Sequence, residues 1–169
     1  MQANELINYG KKKNLIKFSV SIVVSAILTL LLLQLVFELD HISGNSMYPT
    51  LTDGGYVFCV HNSVRHYECG DVVNIKSVVL DTNIVKRVIG TGGDHIEITE
   101  DGLVYKNGKL LKEPYINPNN DSEFEPMNVD VPNGYLFVMG DNRGESADSR
   151  MFGCISESEV VSVVLFSFK

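Results

Sequence analysis

Residues 18–37, FSVSIVVSAILTLLLLQLVF, form a run without a single charge, and no other feature limits the chain's possible folds as strongly. As a helix at about 1.5 Å per residue the run spans about 30 Å, the hydrocarbon thickness of a bilayer. A cleavable leader has a shorter apolar core, about 7–15 residues, followed by a small-residue cut site. Here the run meets Glu38, Leu39 and Asp40 instead, so it is expected to stay attached as a single transmembrane helix. Lys11, Lys12, Lys13 and Lys17 precede it. The positive-inside bias then predicts a cytoplasmic basic N-terminus (1–17), a membrane anchor (18–37) and an extracytoplasmic domain (38–169).

Charge follows the same division. Residues 1–17 carry a net +3, whereas residues 18–169 carry a net −10. So acidic an outer domain lacks the basic face that phosphate backbones require, which excludes nucleic acid as a partner. Cys59, Cys69 and Cys154 cannot all pair within one chain, so disulfides do not organise this fold.

From Gly55 onward, short runs rich in Val, Ile, Tyr and Phe are separated by Gly, Asn, Asp or Pro: YVFCVH, DVVNIKSVVL, NIVKRVIG, HIEIT, LVYKNG, YLFVMG and VVSVVLFSF. This spacing predicts an all-β sandwich or barrel. Residues 93–116 have the look of a compact hairpin with turns at Asp101-Gly102 and Asn107-Gly108. Pro114, Pro118, Pro126 and Pro132 mark an irregular excursion between Glu113 and Asn133.

Three stretches carry candidate chemistry. In HISGNSMYPTL, residues 41–51, a serine follows the anchor closely, and a serine hydroxyl is a weak nucleophile unless a base activates it. None of His41, His61, His66 and His95 sits in a nucleophile-elbow or triad context, although a triad is defined by geometry rather than by sequence position; the other candidate base is a lysine kept neutral by its surroundings. In NIVKRVIG, strand alternation sends Lys86 and Arg87 to opposite faces among branched apolar neighbours. Lys86 can lose its proton there, while Arg87 stays charged and needs an anion. The plainer alternative is that both guard a strand edge against aggregation. In GDNRGESADSR, residues 140–150, Asp141 and Asp148 can pair with Arg87, Arg143 or Arg150, and Ser146 or Ser149 can hold a lysine amine. A solvated acidic turn is the alternative there.

In this order, behind an anchor, SGNSMYPTL, GDVV (70–73), VKRVIGTGGD (85–94) and GDNRGESADSRMFG (140–153) resemble the boxes of type I signal peptidases, membrane-bound Ser/Lys proteases. The resemblance covers nearly the whole chain and implies a signal-peptidase-like β catalytic domain in the compact Gram-positive form. It implies Ser46 as nucleophile, Lys86 as general base and Ser146 as the group orienting the lysine, with Asp141, Arg143, Asp148, Arg150 and Arg87 in support. It also implies Met47 and Tyr48 near the substrate, and no metal or soluble cofactor. The implied substrate is the signal peptide of an exported preprotein, extended along a strand edge, with small side chains at the first and third positions before the cut. The partners implied are the bilayer and a neighbouring protein-export channel.

The chain departs from the family pattern in three places. Gly44 occupies the position where some members carry a serine that assists the oxyanion. Gly92 replaces a common proline, from which a looser turn and a less firmly placed Asp94 are expected. EVVSVVLF lacks a Gly-Lys pair often found near that strand. Three other readings stand beside the peptidase: a zinc site built from Cys59, His61, His66 and Cys69, a non-catalytic membrane-anchored peptide-binding protein, and a specialised self-cleaving or pilin-type processing peptidase.

Overall fold

The computed structural model describes residues 2–118 and 124–168. The chain divides into two compact units, Met1–Phe37 and Glu38–Lys169. The first is the helix α1 (Gln2–Val36). Its Asn14–Val36 portion, 23 residues long with mean hydropathy 2.4, is long and apolar enough to cross a membrane, and none of it is buried within the chain. A helix apolar on every side needs a surrounding that covers all its faces, and its internally closed backbone bonds suit a lipid environment.

The second unit is almost entirely β. Its strands are β1 (Phe37–His41), β2 (Tyr56–His61), β3 (Val72–Ser77), β4 (Thr82–Thr91), β5 (His95–Ile98) and β6 (Val104–Lys106), followed by β7 (Lys109–Leu110), β8 (Met127–Asp130) and β9 (Tyr135–Met139). After a short helix α2 (Ser149–Phe152) come β10 (Ile155–Ser156) and β11 (Val160–Phe168). Seven strands form one sheet in the order β1-β2-β11-β3-β4-β9-β10, and four form a second in the order β7-β6-β5-β8. This is the all-β architecture expected from the spacing of the apolar runs.

Two apolar clusters hold it together. Ile89, Phe137 and Met139 of the larger sheet pack with Ile96, Ile98 and Val104 of the smaller one, all but excluded from solvent. The strict alternation of β5, with His95 and Glu97 outward and Ile96 and Ile98 inward, makes this possible. The second cluster joins Ile42, Met47 and Leu51 of the serine-bearing segment to Val57, Cys59 and Val72. The segment around Ser46 is therefore pinned by its own apolar residues to the inside of the larger sheet.

Two elements differ from expectation. The run DVVNIKSVVL is a strand only as far as Ser77, and Val78, Val79 and Leu80 form an exposed turn into β4. The proline-marked excursion contains β8, which pairs with β5 through His95↔Asp130 and Ile98↔Met127. Prolines flank that strand at 126 and 132 rather than interrupting it, so its ladder survives. Residues 119–123 of the excursion lie outside the described residues.

The turn at Gly92 also differs. A Cβ at Gly92 would sit 2.9 Å from Asn133 Cα, so the turn packs directly on the backbone entering β9. Asp94 is held firmly: its carboxylate accepts from the Thr91 N–H at 2.9 Å, Asn107 Nδ2 at 2.8 Å and Lys106 Nζ at 3.2 Å. Tertiary packing supplies the rigidity that a proline would otherwise give.

Candidate active site

Strand β4 runs antiparallel to β3 with Lys86 opposite Val73. This register turns the Lys86 side chain toward the Ser46 segment, and Lys86 Nζ lies 2.8 Å from Ser46 Oγ. The amine's other hydrogen bond goes to Val85 O at 3.0 Å. Lys86 is 4% exposed. Burial lowers its pKa from 10.5 to about 8, against the opposing pull of the Asp148 and Asp141 carboxylates. About a tenth of the amine is then neutral at pH 7, and a neutral amine at this distance can accept the Ser46 proton.

Arg87 leaves the opposite face of β4 into a second buried network. Its Nε donates to Asp141 Oδ1 at 2.8 Å and its NH1 to Gly70 O at 2.6 Å. The ring of Tyr115 lies 3.8 Å from the guanidinium carbon. Thr50 joins this network, donating to Asp141 and accepting from Arg87 NH2. The serine-bearing segment is thereby tied to the 140–150 segment through a fully buried carboxylate. Asn142 adds direct ties, its N–H donating to Ser46 O at 3.0 Å and its Nδ2 to Asn45 O at 3.1 Å.

Of the remaining charges of the 140–150 segment, Asp148 and Arg150 pair locally, whereas Arg143 finds its partner far along the chain. Asp148 caps α2 and accepts from Arg150 Nε at 2.8 Å and from the Gly140 N–H at 2.9 Å. Arg143 pairs with Glu113, NH2 to Oε1 at 2.6 Å, and donates from Nε to Gly140 O at 3.0 Å. Sequence reading misses Glu113, as it misses the ties made by Thr50 and Asn142; the local hint for Glu113 is its position at the head of the proline-marked stretch. Ser149 is buried and accepts from the Val138 N–H.

Ser146 departs from the expected geometry. Its Oγ is buried with no hydrogen-bond partner among the described residues, and the Lys86 amine is satisfied by Ser46 and Val85 instead. Gly140 explains how close Ser146 comes to the serine loop. A Cβ on Gly140 would lie 2.4 Å from Ser46 O and 2.3 Å from Ser146 Oγ, so only glycine lets these two groups share that space.

A cleft of about 210 Å³ opens beside the Ser46–Lys86 pair, its walls formed by residues 40–44 on one side and 83–86 on the other. Met47 is buried and lines it. Tyr48 does not: it is 43% exposed and lies outside the lining. Gly44 lines the cleft with φ of 99° and donates its N–H to Asp53 Oδ1 at 2.8 Å. A serine there would be strained, so no side-chain hydroxyl stands at this position.

Cys59 is buried in β2, while the exposed Cys69 accepts from Lys106 Nζ at 3.1 Å. His61 Nδ1 bonds Ser63 Oγ at 2.9 Å. Among the described residues no group of three or more His, Cys, Asp or Glu is placed to hold a metal ion.

Residues 15–169 match the family model described as signal peptidase, peptidase S26. The chain is 37% identical over 173 residues to a signal peptidase I of Bacillus licheniformis, spanning 94% of this chain and 91% of that one. It is 40% identical over 162 residues to a signal peptidase I of Bacillus amyloliquefaciens, spanning 88% and 82%. A crystal structure of a signal peptidase I from Enterococcus faecalis V583 aligns with TM-score 0.51 and 29% identity, covering 59% of this chain and 97% of that one. Similarity that begins inside the apolar helix and continues through every strand of the β unit makes this chain a member of the signal peptidase family, peptidase S26.

Proposed function

We propose that this serine peptidase removes signal peptides from exported preproteins with Ser46 as nucleophile and Lys86 as general base. The observation that carries the assignment is the 2.8 Å contact between Ser46 Oγ and the buried Lys86 amine. Neutral Lys86 takes the Ser46 proton as Oγ attacks the scissile carbonyl, and then returns it to the leaving amine. A water molecule, deprotonated by the same amine, cleaves the resulting ester and frees Ser46. The Ser46 backbone N–H is the oxyanion donor, and Gly44 contributes no hydroxyl. The buried, unpartnered Ser146 hydroxyl beside Ser46 O supports Ser146 as the group that holds the amine as it turns between its partners. Asp141, Arg87, Asp148, Arg143 and Arg150 fix the two halves of the site against each other.

The sheet supplies a place for an extended substrate. Strand β9 pairs with β4 only over Arg87–Thr91, so Thr82–Lys86, paired with β3 on one side, has no strand partner on its other side among the described residues. At the other end of the sheet β1 pairs with β2 alone. The cleft lies between these two edges, and a peptide laid in it gains main-chain hydrogen bonds before any side chain is read.

In the cell α1 anchors the molecule in the membrane as a single span, with Lys11, Lys12, Lys13 and Lys17 on the cytoplasmic side and the β unit outside, near the export channel. The test uses full-length protein in detergent micelles and a preprotein substrate, with the new N-terminus read by mass spectrometry. Cleavage after a small residue, abolished by Ser46→Ala and by Lys86→Ala in folded protein, is the expected result. Full turnover by either variant would reject the Ser/Lys assignment.

A further inference from the structure

The turn between β3 and β4 departs from the usual chemistry of turns. Surface connections favour Gly, Pro, Asn, Asp and Ser, yet this one reads Val78-Val79-Leu80-Asp81. Val78 is 78% exposed, Val79 65% and Leu80 38%. The turn is nonetheless held in place. Glu159 Oε2 accepts from the Val78 N–H at 2.8 Å, Ser77 Oγ accepts from the Leu80 N–H at 3.2 Å, and Asp81 takes the left-handed conformation with φ of 49°. Three apolar side chains fixed in solvent break a local rule that folding alone gives no reason to break. We propose that this turn is an interaction surface for the apolar segment of the signal peptide, the part of the substrate that precedes the residues read in the cleft. The inference deepens the peptidase reading and rests on it.

The sheet leads the substrate there. Asn74 and Lys76 of β3 lie opposite Val85 and Asn83 of β4, so these four residues share one face of the hairpin. Asn74, Val85 and Asn83 line the cleft beside Ser46. Lys76 and Asn83 line a groove of about 440 Å³ that reaches Val78 at the turn. Asn83 belongs to both, so the groove continues the cleft away from the catalytic pair. In the other direction a peptide cannot pair with this edge of β4, because β9 occupies it from Arg87 onward.

Length agrees with this path. A strand advances about 3.3 Å per residue, so the stretch from Lys86 back to Thr82 covers about 13 Å and takes about four or five residues of an extended substrate. A signal peptide has a small-residue cut site preceded by an apolar run of about 7–15 residues. With the scissile bond at Ser46, the cut-site residues fill the cleft and the apolar run emerges where Val78, Val79 and Leu80 stand. Small side chains suit the confined cleft, and the turn adds a contact that depends on hydrophobicity alone. Covering its exposed methyl groups is favourable without any directional bond.

The experiment compares two peptides that share the residues around the cut and differ upstream, where one carries a run of Leu and Ala and the other a run of Ser and Gly. Full-length protein in detergent micelles is expected to favour the apolar peptide about tenfold in kcat/KM. In the double variant Val78→Thr, Val79→Thr that preference falls about fivefold, the size of two partly covered methyl groups, while the polar peptide is cleaved at the unaltered rate. Partition of the apolar peptide into micelles is common to both proteins and cancels in the comparison. A preference unchanged in the variant, as a turn facing only water or lipid would give, overturns the inference. Equal slowing of both peptides overturns it too, because it marks a structural brace. In either case cleavage by the unaltered protein leaves the peptidase reading standing, whereas failure to cleave either peptide sinks both.

Discussion

Replacing Lys86 by Met should stabilise the fold near neutral pH, and the gain should disappear as the solution becomes alkaline. Folding moves the amine's pKa from 10.5 to about 8. At about 1.4 kcal/mol per pH unit, this corresponds to about 3 kcal/mol of stability withheld from the wild type wherever the amine is charged in the unfolded chain. The sign follows from proton counting. Between pH 8 and 10.5 the unfolded chain holds a proton on Lys86 that the folded chain has released, so wild-type stability rises with pH across that window. Below about pH 8 the full penalty is present, and above 10.5 it is gone.

Met fills a similar volume without a charge, but it removes the bonds to Ser46 Oγ and Val85 O. Those losses do not depend on pH, so they cancel when the wild-type-to-variant difference is compared across pH. The assay is denaturant unfolding of both full-length proteins in the same micelles at half-unit steps from pH 7 to 10.5, with extrapolation to zero denaturant. The stability difference, variant minus wild type, should shrink by about 3 kcal/mol across the series. A difference that stays constant would refute the claim that burial strips this amine of its charge.

The same proton sets the rate. Below about pH 8, kcat/KM should fall about tenfold for each unit of acidification as Lys86 becomes charged, and level off above it; a pH-rate profile on a peptide substrate checks this. Arg87→Met leaves the fully buried Asp141 carboxylate without its guanidinium and should cost about 3–5 kcal/mol in denaturant unfolding. Gly140→Ala drives a methyl group against Ser46 O, so kcat/KM should drop by about two orders of magnitude or more with the circular dichroism of the sheet retained. Ser146→Ala removes a hydroxyl that has no partner among the described residues, so its stability should hold or improve by about 1 kcal/mol while kcat falls.

Much of this architecture is legible in the residues alone because the signals are local. An uncharged run at 18–37 and short Val- and Ile-rich runs between turn residues point to a helix followed by sheets. The meeting of Ser46 with Lys86 across forty residues was available from the resemblance of the boxes, whereas alternation within β4 shows only that Lys86 and Arg87 part company. What could not be read depends on tertiary neighbours. Glu113 reaches Arg143 from thirty positions away, and nothing in its own surroundings announces the pairing. Thr50 resembles an ordinary turn residue until the fold brings Asp141 to it. Strand β8, MNVD, has a half-buried face and no fully buried residue, too weak an apolar signal to stand out between prolines. Asp94 is held by Lys106 and Asn107, twelve and thirteen residues further along the chain, a pairing that loop composition does not encode.

The uncovered stretch of β4 has a further consequence. A sheet edge left open over part of one strand accepts an extended segment of suitable length through its unpaired main-chain donors and acceptors. A rigid strand mimic bearing an electrophile at the serine would pair with that edge and lose little conformational entropy in doing so.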